Sequence, residues 1–370
     1  MKNKDKRIAS LKEQVPHISA MEVSTRLTKG GVVLDVRDAD EVSQGSPHNA
    51  VRVGRSYLEL NIESHITDLD TPVYVMCAGG LRSLFAADSL QQLGYTDVHS
   101  IIGGFNQWKD DGLPFEVPQS LTPDARERYA RHILMPNVGA EGQLKLINSK
   151  VLCIGAGGLG SPVALYLAAA GVGTLGVVDH DVVDKSNLQR QILHNENTIG
   201  KPKVDSARQT LEALNSSIKI NTYQARIDES NVEELLKDYD IVVDGSDNIP
   251  TRYLVNDTCV KYKIPNVHGA IFRFEGQVTV FWPANEEGNG PCYRCLFPTP
   301  AKDEALSCAA AGVLGVLPGV IGVLQAIEAV KIIIGIGRPL VGRMLYYDAL
   351  DASFREIKMK QKPKCAACGS

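Results

Sequence analysis

The sequence predicts an α/β protein in two parts, a small α/β domain over residues 1–118 and a larger one over 119–370. Three observations carry this reading. Short apolar runs alternate with helix-like segments along the first third of the chain, as strands and helices packed in layers do. Three prolines (Pro114, Pro118 and Pro123) then fall within ten residues, which disfavours regular structure and suits a linker. Beyond them, residues 151–191 read VLCIGAGGLGSPVALYLAAAGVGTLGVVDHDVVDKSNLQRQ: a strand, a glycine loop, a helix and a second strand.

In the first part, residues 32–36 and 73–77 read as strands and 83–94 as a helix. The strand at 73–76 ends in Cys77-Ala78-Gly79-Gly80-Leu81-Arg82-Ser83. A cysteine at the mouth of such a loop sits among backbone N–H groups, near a helix N-terminus and near Arg82. All three favour thiolate over thiol and suit an anionic persulfide. The alternative is a buried structural cysteine beside a surface arginine, but the glycines at 79 and 80 shape the loop into a cradle.

Together with Leu34-Asp35-Val36-Arg37 and Gly103-Gly104-Phe105-Asn106-Gln107-Trp108, this loop makes residues 15–116 resemble the rhodanese family of sulfurtransferases. The resemblance implies Cys77 as the sulfur-carrying nucleophile, with Arg82 beside it. Four residues separate Cys77 from Arg82, the sulfurtransferase spacing; the related cysteine phosphatases have five and a wider loop. Residues 45–50 (GSPHNA) depart from the family's Gly-His-Ile-x-Gly-Ala, which bears on local loop shape and not on Cys77.

The second part opens with a polar helical start over 124–131. Its glycine loop carries Gly155, Gly157, Gly158 and Gly160, which let backbone N–H groups approach phosphate oxygens at a helix N-terminus. Asp179 closes the next strand and suits ribose hydroxyls. This is a Rossmann-like unit, and the glycine pattern by itself suggests NAD. The residues that follow argue for another chemistry. Ser186, Asn187, Leu188, Gln189 and Arg190 place an amide and a guanidinium near the phosphates, and Lys203 adds a second cation. A further strand, 241–244, follows a helix-like 232–236 and leads to Asp247 and Asn248. Asp247 is either a ligand for Mg²⁺ on phosphate oxygens or a helix cap. Two cations and a metal carboxylate suit transfer chemistry, in which charge builds up on phosphorus oxygens. Hydride transfer has no need of them. A Walker glycine-lysine loop is missing, which argues against ordinary γ-phosphate hydrolysis.

From about residue 124 to 369 the pattern is similar to the MoeB/ThiF family, bacterial relatives of ubiquitin-activating enzymes. The similarity rests on Arg128-Tyr129-Ala130-Arg131-His132, the glycine loop, 186–191, 200–203, Asp247-Asn248, Glu275-Gly276-Gln277 and the terminal cysteine pairs. It implies that the C-terminal glycine carboxylate of a ubiquitin-like sulfur carrier attacks the α-phosphate of ATP, giving an acyl-adenylate and pyrophosphate. It implies a homodimer in which Arg131 reaches into the partner's nucleotide site. It also assigns Gly158, Asp179, residues 186–190, Lys203, Asp247 and Asn248 to ATP. Cys308 has two readings: a small core residue, or a cysteine on a mobile segment crossing the adenylate that bonds to the carrier or to sulfur.

Eight cysteines in a chain of this kind point to metal or sulfur chemistry before disulfides. Cys292-x2-Cys295 and Cys365-x2-Cys368 are two knuckles that together make a four-cysteine site for structural Zn²⁺; redox dithiols or free thiols are the alternative. Cys153 and Cys259 read as packing residues. Residues 309–327 carry no charge and have membrane-helix length, but their glycines and the Glu328 and Lys331 that follow favour a buried or subunit-facing helix.

Lysine plus arginine is 39 against 43 acidic residues, a net charge of −4, with no footprint for nucleic acid or anionic membrane. The charged start MKNKDKRIAS lacks the apolar core of a secretory signal, so a cytoplasmic protein is expected. The combined expectation is adenylation of a carrier ending in Gly-Gly, of the molybdopterin-synthase small-subunit type or of a thiamine pathway. Persulfide sulfur on Cys77, taken from thiosulfate or a cysteine-desulfurase persulfide, would then form a thiocarboxylate. An NAD-dependent oxidoreductase and a non-catalytic sensor are the competing classes.

Overall fold

The strand that ends before Cys77 and the strand that ends before Gly155 each lie inside a sheet between two parallel neighbours. The computed structural model describes residues 3–117, 119–285, 290–299 and 312–369. The chain divides into two units, Met1–Ser120 and Leu121–Ser370.

In the first unit, β1 (His17–Ile18), β2 (Val32–Asp35), β4 (Val51–Arg52), β5 (Val73–Met76) and β6 (Val98–Ile101) form a parallel sheet in the order β1-β6-β5-β2-β4. β3 (Ser46–Pro47) and β7 (Phe115–Glu116) make a separate antiparallel pair. All four residues of β5 are buried, as a strand covered on both faces requires. Leu84, Ala87 and Leu90 of the helix Arg82–Gln92, spaced three residues apart on one helix face, are buried in the core with Val73 and Val75. Each large apolar side chain sunk there contributes about 1.5–3 kcal/mol. The helix begins directly after the Cys77 loop, so the packing of its apolar face sets the position of the loop.

The second unit holds an eight-stranded sheet among the described residues. Its strands are β8 (Lys150–Ile154), β9 (Thr174–Val178), β10 (Lys219–Tyr223), β11 (Ile241–Asp244), β12 (Asn266–Phe272), β13 (Glu275–Phe281), β14 (Arg343–Asp348) and β15 (Ser353–Lys358), in the order β10-β9-β8-β11-β12-β13-β14-β15. The first five in that order are parallel and the rest antiparallel. The chain runs outward from β8 to β9 and β10, then returns to place β11 on the other side of β8. That reversal opens a crevice at the carboxyl ends of β8 and β11, where ligands of open α/β sheets bind. The register sets Asp244 opposite Ile154, so the glycine loop and the loop after β11 leave the sheet side by side.

Two elements differ from the sequence reading. The polar helix expected over 124–131 is broken into Pro123–Arg128 and Ala130–Ile133. Tyr129 lies between them, 4% exposed, and its hydroxyl accepts a hydrogen bond from Asn215 Nδ2 at 2.9 Å, which turns the chain to bury the ring. The long apolar helix is Leu317–Ile334, with Pro318 in its first turn, where a proline costs no hydrogen bond. It runs on through Glu328 and Lys331, which pair at 2.7 Å, while Glu328 also accepts the Leu340 N–H at 2.7 Å. Among the described residues it is the one helix with the length and apolarity of a membrane span, and half of it is buried in this unit.

Candidate functional site

In the first unit the candidate centre is Cys77, which is buried directly after β5. Its Sγ accepts the Gly80 N–H at 3.1 Å and lies 3.6 Å from the Ser83 hydroxyl, which in turn receives the Ser100 hydroxyl at 2.8 Å. The floor of the loop is the start of the next helix: Phe105 N–H donates to Cys77 O and Asn106 N–H to Ala78 O. Gly104 makes this approach possible, because a Cβ there would stand 2.1 Å from Cys77 O.

Arg82 follows the loop, and its guanidinium is engaged: Nη1 and Nη2 lie 2.7 and 2.5 Å from the two oxygens of Glu41. The hydrogen bond from Arg82 lowers the Glu41 carboxyl below the usual range. Sequence reading missed Glu41, which has no motif around it. A second arginine, Arg37, is buried against Asp35 at 2.6 and 2.9 Å and donates to Gly45 O at 2.6 Å. Ser46 also donates to Asp35, at 2.8 Å. The unusual 45–50 segment is therefore anchored to the end of β2.

In the second unit a cleft of about 410 Å³ opens at the carboxyl ends of β8 and β11. Gly155, Gly157, Gly158, Asp179, Arg190, Lys203, Asp247 and Asn248 all line it. The glycine loop is held by its backbone. Asp179 Oδ2 accepts the Ala156 N–H at 2.8 Å, and Nε2 of the buried His194 donates to Ala156 O at 2.8 Å. Burial lowers the His194 pKa, so the ring is neutral.

Lys203 enters at the start of the helix Lys203–Leu214, its side chain 7% exposed, and pairs with Asp181 at 2.8 Å. Burial pushes the Asp181 pKa up, but the Lys203 contact outweighs it and the carboxyl is lowered overall. Asn248 caps the helix Ile249–Tyr262 by accepting the Thr251 N–H at 3.0 Å, a contact that stabilises a helix by about 1 kcal/mol. The cap is thus Asn248, and the exposed Asp247 beside it has no side-chain partner among the described residues. Gln191 Oε1 and Ser246 Oγ, both in lining residues that are over nine-tenths buried, also have no partner among the described residues. Buried polar atoms are rarely left unpaired, and these two belong to residues of the cleft wall.

Other sequence-selected residues stand outside the cleft. Gly160 is a packing glycine, since a Cβ would lie 1.9 Å from Gly155 O. Ser186 and Asn187 form a short turn capped by Asp184, Leu188 follows it, and Gln189 packs against Gly315. Arg131 is exposed on the short helix Ala130–Ile133 and does not line the cleft of its own chain. Cys308 lies outside the described residues. Asp181, His194 and Arg252 were missed; only Asp181, two positions after Asp179, carried a local signal.

The four knuckle cysteines converge, with Sγ atoms within 4.8 Å of one another. Cys292 lies 3.9 Å from Cys295 and 3.5 Å from Cys365, and Cys295 lies 3.5 Å from Cys368. A tetrahedron with metal–sulfur bonds of about 2.3 Å sets its sulfurs roughly 3.8 Å apart, so the donor set fits Zn²⁺. Lys362 N–H also points at Cys295 Sγ, at 3.4 Å. Cys153 and Cys259 are buried elsewhere in the core, and burial raises both thiols.

A glycine-loop cleft at a sheet reversal, with cations and an unpaired carboxylate, defines a nucleotide-binding unit of the open α/β class, and the chain carries a cysteine-loop unit ahead of it. Residues 129–367 match the ThiF family and residues 19–111 the rhodanese-like domain. The chain belongs to the ThiF family, with a rhodanese-like domain ahead of the family domain. It is 51% identical over 250 residues to the "Sulfur carrier protein adenylyltransferase" of Thermus thermophilus, covering 67% of this chain and 92% of that one. It is also 51% identical over 260 residues to "Adenylyltransferase and sulfurtransferase MOCS3-1" of Zea mays, covering 70% of this chain and 55% of that protein. A crystal structure of E. coli MccB with MccA-N7isoASN shares the fold, with a TM-score of 0.59 at 23% identity over 67% of this chain and 76% of that one.

Proposed function

We propose that this chain adenylates the C-terminal glycine carboxylate of a ubiquitin-like sulfur carrier ending in Gly-Gly, of the molybdopterin-synthase small-subunit type. The rhodanese-like unit then supplies sulfur from Cys77. One observation carries the reading: the cleft joins a phosphate-binding glycine loop to Arg190, Lys203 and a carboxylate, Asp247, that the protein itself leaves unpaired among the described residues. The names of the Thermus and maize relatives support it.

The chemistry follows from those groups. The glycine-loop N–H groups receive phosphate oxygens at a helix N-terminus. Arg190 and Lys203 offset the negative charge that grows as the carrier carboxylate bonds to the α-phosphorus and pyrophosphate leaves. Asp247 is the residue that would hold Mg²⁺, whose contribution is to neutralise phosphate oxygens. Ser246 and Gln191 offer hydrogen bonds to the nucleotide.

In the second stage a persulfide on Cys77 attacks the acyl carbon and AMP leaves. A further thiol then attacks Cys77 sulfur, releasing the thiocarboxylate and leaving a disulfide at Cys77 for reduction. Cys308, if engaged, acts after adenylation. Zn²⁺ on Cys292, Cys295, Cys365 and Cys368 pins the C-terminal segment without an open coordination position. The exposed apolar residues Val316, Val320 and Ile327 suit a homodimer surface, with Arg131 completing the partner's site. A cytoplasmic setting accords with the use of ATP and free thiols. Pyrophosphate–ATP exchange that depends on an added Gly-Gly carrier tests the reading. Binding of NAD without any carrier-dependent exchange would overturn it.

A further inference from the structure

Behind Asp247 lies a buried ionisable pair to which the adenylation chemistry assigns no task. Asp244, the last residue of β11, is fully buried, and His268 on β12 is 1% exposed. The parallel register sets the two opposite each other, with His268 Nδ1 3.1 Å from Asp244 Oδ2. The other oxygen, Oδ1, accepts the Ser246 N–H at 2.9 Å. From the opposite side Arg252 donates to the Ser246 carbonyl at 3.0 and 3.3 Å. The residue immediately before Asp247 is therefore clamped at both of its backbone polar groups.

The ring's surroundings fix its protonation. His268 packs against Phe281 and Tyr293, with centroids 5.6 and 5.4 Å away, and Nε2 is buried with no partner among the described residues. A proton there would be an unsatisfied N–H in an aromatic cage, which is costly. Nδ1 carries the proton and donates it to a carboxylate that can only accept. Burial lowers the His268 pKa and keeps the ring neutral. Burial alone would raise Asp244, but the contacts of His268, Arg252 and Ser246 together outweigh it and the carboxyl is lowered, so it stays ionised. Without the imidazole, Asp244 would be a buried charge short of a donor, driven to take up a proton or admit water. Either change loosens its hold on Ser246.

We infer that His268 is a positioning residue for the nucleotide site: through Asp244 it holds the Ser246 backbone and so aims the Asp247 carboxylate at the divalent cation that accompanies the nucleotide. The inference rests on the adenylation reading for the identity of that cation's partner, ATP. It predicts its main effect on the metal-dependent part of binding, because the glycine loop is held by a separate set of contacts, Asp179 and His194.

The test is calorimetric titration of ATP into the full chain, with and without Mg²⁺, for wild type, His268→Leu and His268→Asn. Asparagine can present an N–H close to where Nδ1 stands; leucine cannot. His268→Leu is expected to weaken Mg²⁺-dependent ATP binding about 10-fold or more, as losing a residue that orients a metal ligand does. Binding without Mg²⁺ should weaken far less, and His268→Asn should recover most of the loss. Equal losses with and without Mg²⁺, no loss at all, or an asparagine variant as weak as leucine would overturn the inference. If the leucine variant does not fold, nitrogen NMR of histidine-labelled wild type decides: a protonated Nδ1 supports the inference and a protonated Nε2 overturns it. A wild type that binds Mg²⁺-ATP yet shows no carrier-dependent exchange would count against the adenylation reading alone.

Discussion

The Cys77 loop and the glycine loop at 155–160 are built by the same backbone device and end in opposite states. Each leaves the carboxyl end of an interior parallel strand and turns into the first residue of a helix, Arg82 in one case and Gly160 in the other. In the first, the residue after the strand is a cysteine; its sulfur takes an N–H from its own loop, and the nearby Arg82 is already neutralised by Glu41. In the second, that residue is Gly155, and the groups around it are left open: Asp247, Gln191 Oε1 and Ser246 Oγ have no side-chain partners among the described residues. The Cys77 sulfur is bonded within its own loop, whereas polar atoms around the glycine loop have no partner among the described residues. The residue at the strand end differs between the two loops: a cysteine in one and a glycine in the other.

If the two sites are as independent as their separate cores suggest, substitutions should divide their activities cleanly. The largest effect is expected from Cys77→Ser, which removes the only thiol of that loop. Sulfur transfer from thiosulfate to cyanide should fall to background, while carrier-dependent pyrophosphate exchange stays near wild type. Next comes Asp247→Ala: losing one electrostatic group at a developing charge typically costs about 100-fold or more, so exchange should drop by that order and thiosulfate activity should persist. A drop in both activities would show that the sites are coupled.

Removing a knuckle cysteine, as in Cys365→Ser, should release the zinc and lower the melting temperature without selectively affecting thiosulfate activity, because a closed metal site contributes to folding and not to chemistry. Elemental analysis beside a thermal melt checks this, and a metal-free wild type of full stability would remove the zinc from the account. The smallest effect sharpens the comparison. Mixing inactive Arg131→Ala with inactive Asp247→Ala chains should restore part of the exchange activity, since one site of such a heterodimer regains both groups. No recovery despite proven subunit exchange would confine Arg131 to its own chain.

Much of the fold was legible because its signals are local. A strand that runs into glycine and then into a helix is written in consecutive residues, and so is each C-x2-C knuckle, which needs only two sulfurs on one turn. What the sequence hid is long-range. Glu41 reaches Arg82 across 41 positions, and His194 reaches Ala156 across 38, with no pattern to connect either pair. The start of the long helix at Leu317 was misplaced because apolarity alone set its expected limits, while Pro318 and the Glu328–Lys331 pair set the real ones. That the cap at 247–248 is Asn248 and not Asp247 was likewise visible only in the geometry.

The central claim is that adenylation and sulfur supply reside in separate units of one chain and meet at the carrier's terminal carboxylate. Mass spectrometry of the carrier after incubation with ATP, thiosulfate, a thiol reductant and either wild type or Cys77→Ser tests it most directly. Wild type should replace one oxygen of that carboxylate with sulfur, and Cys77→Ser should leave it as oxygen while still exchanging pyrophosphate. Thiocarboxylate formed by Cys77→Ser at the wild-type rate would contradict the claim and reduce the rhodanese-like unit to a docking or regulatory part.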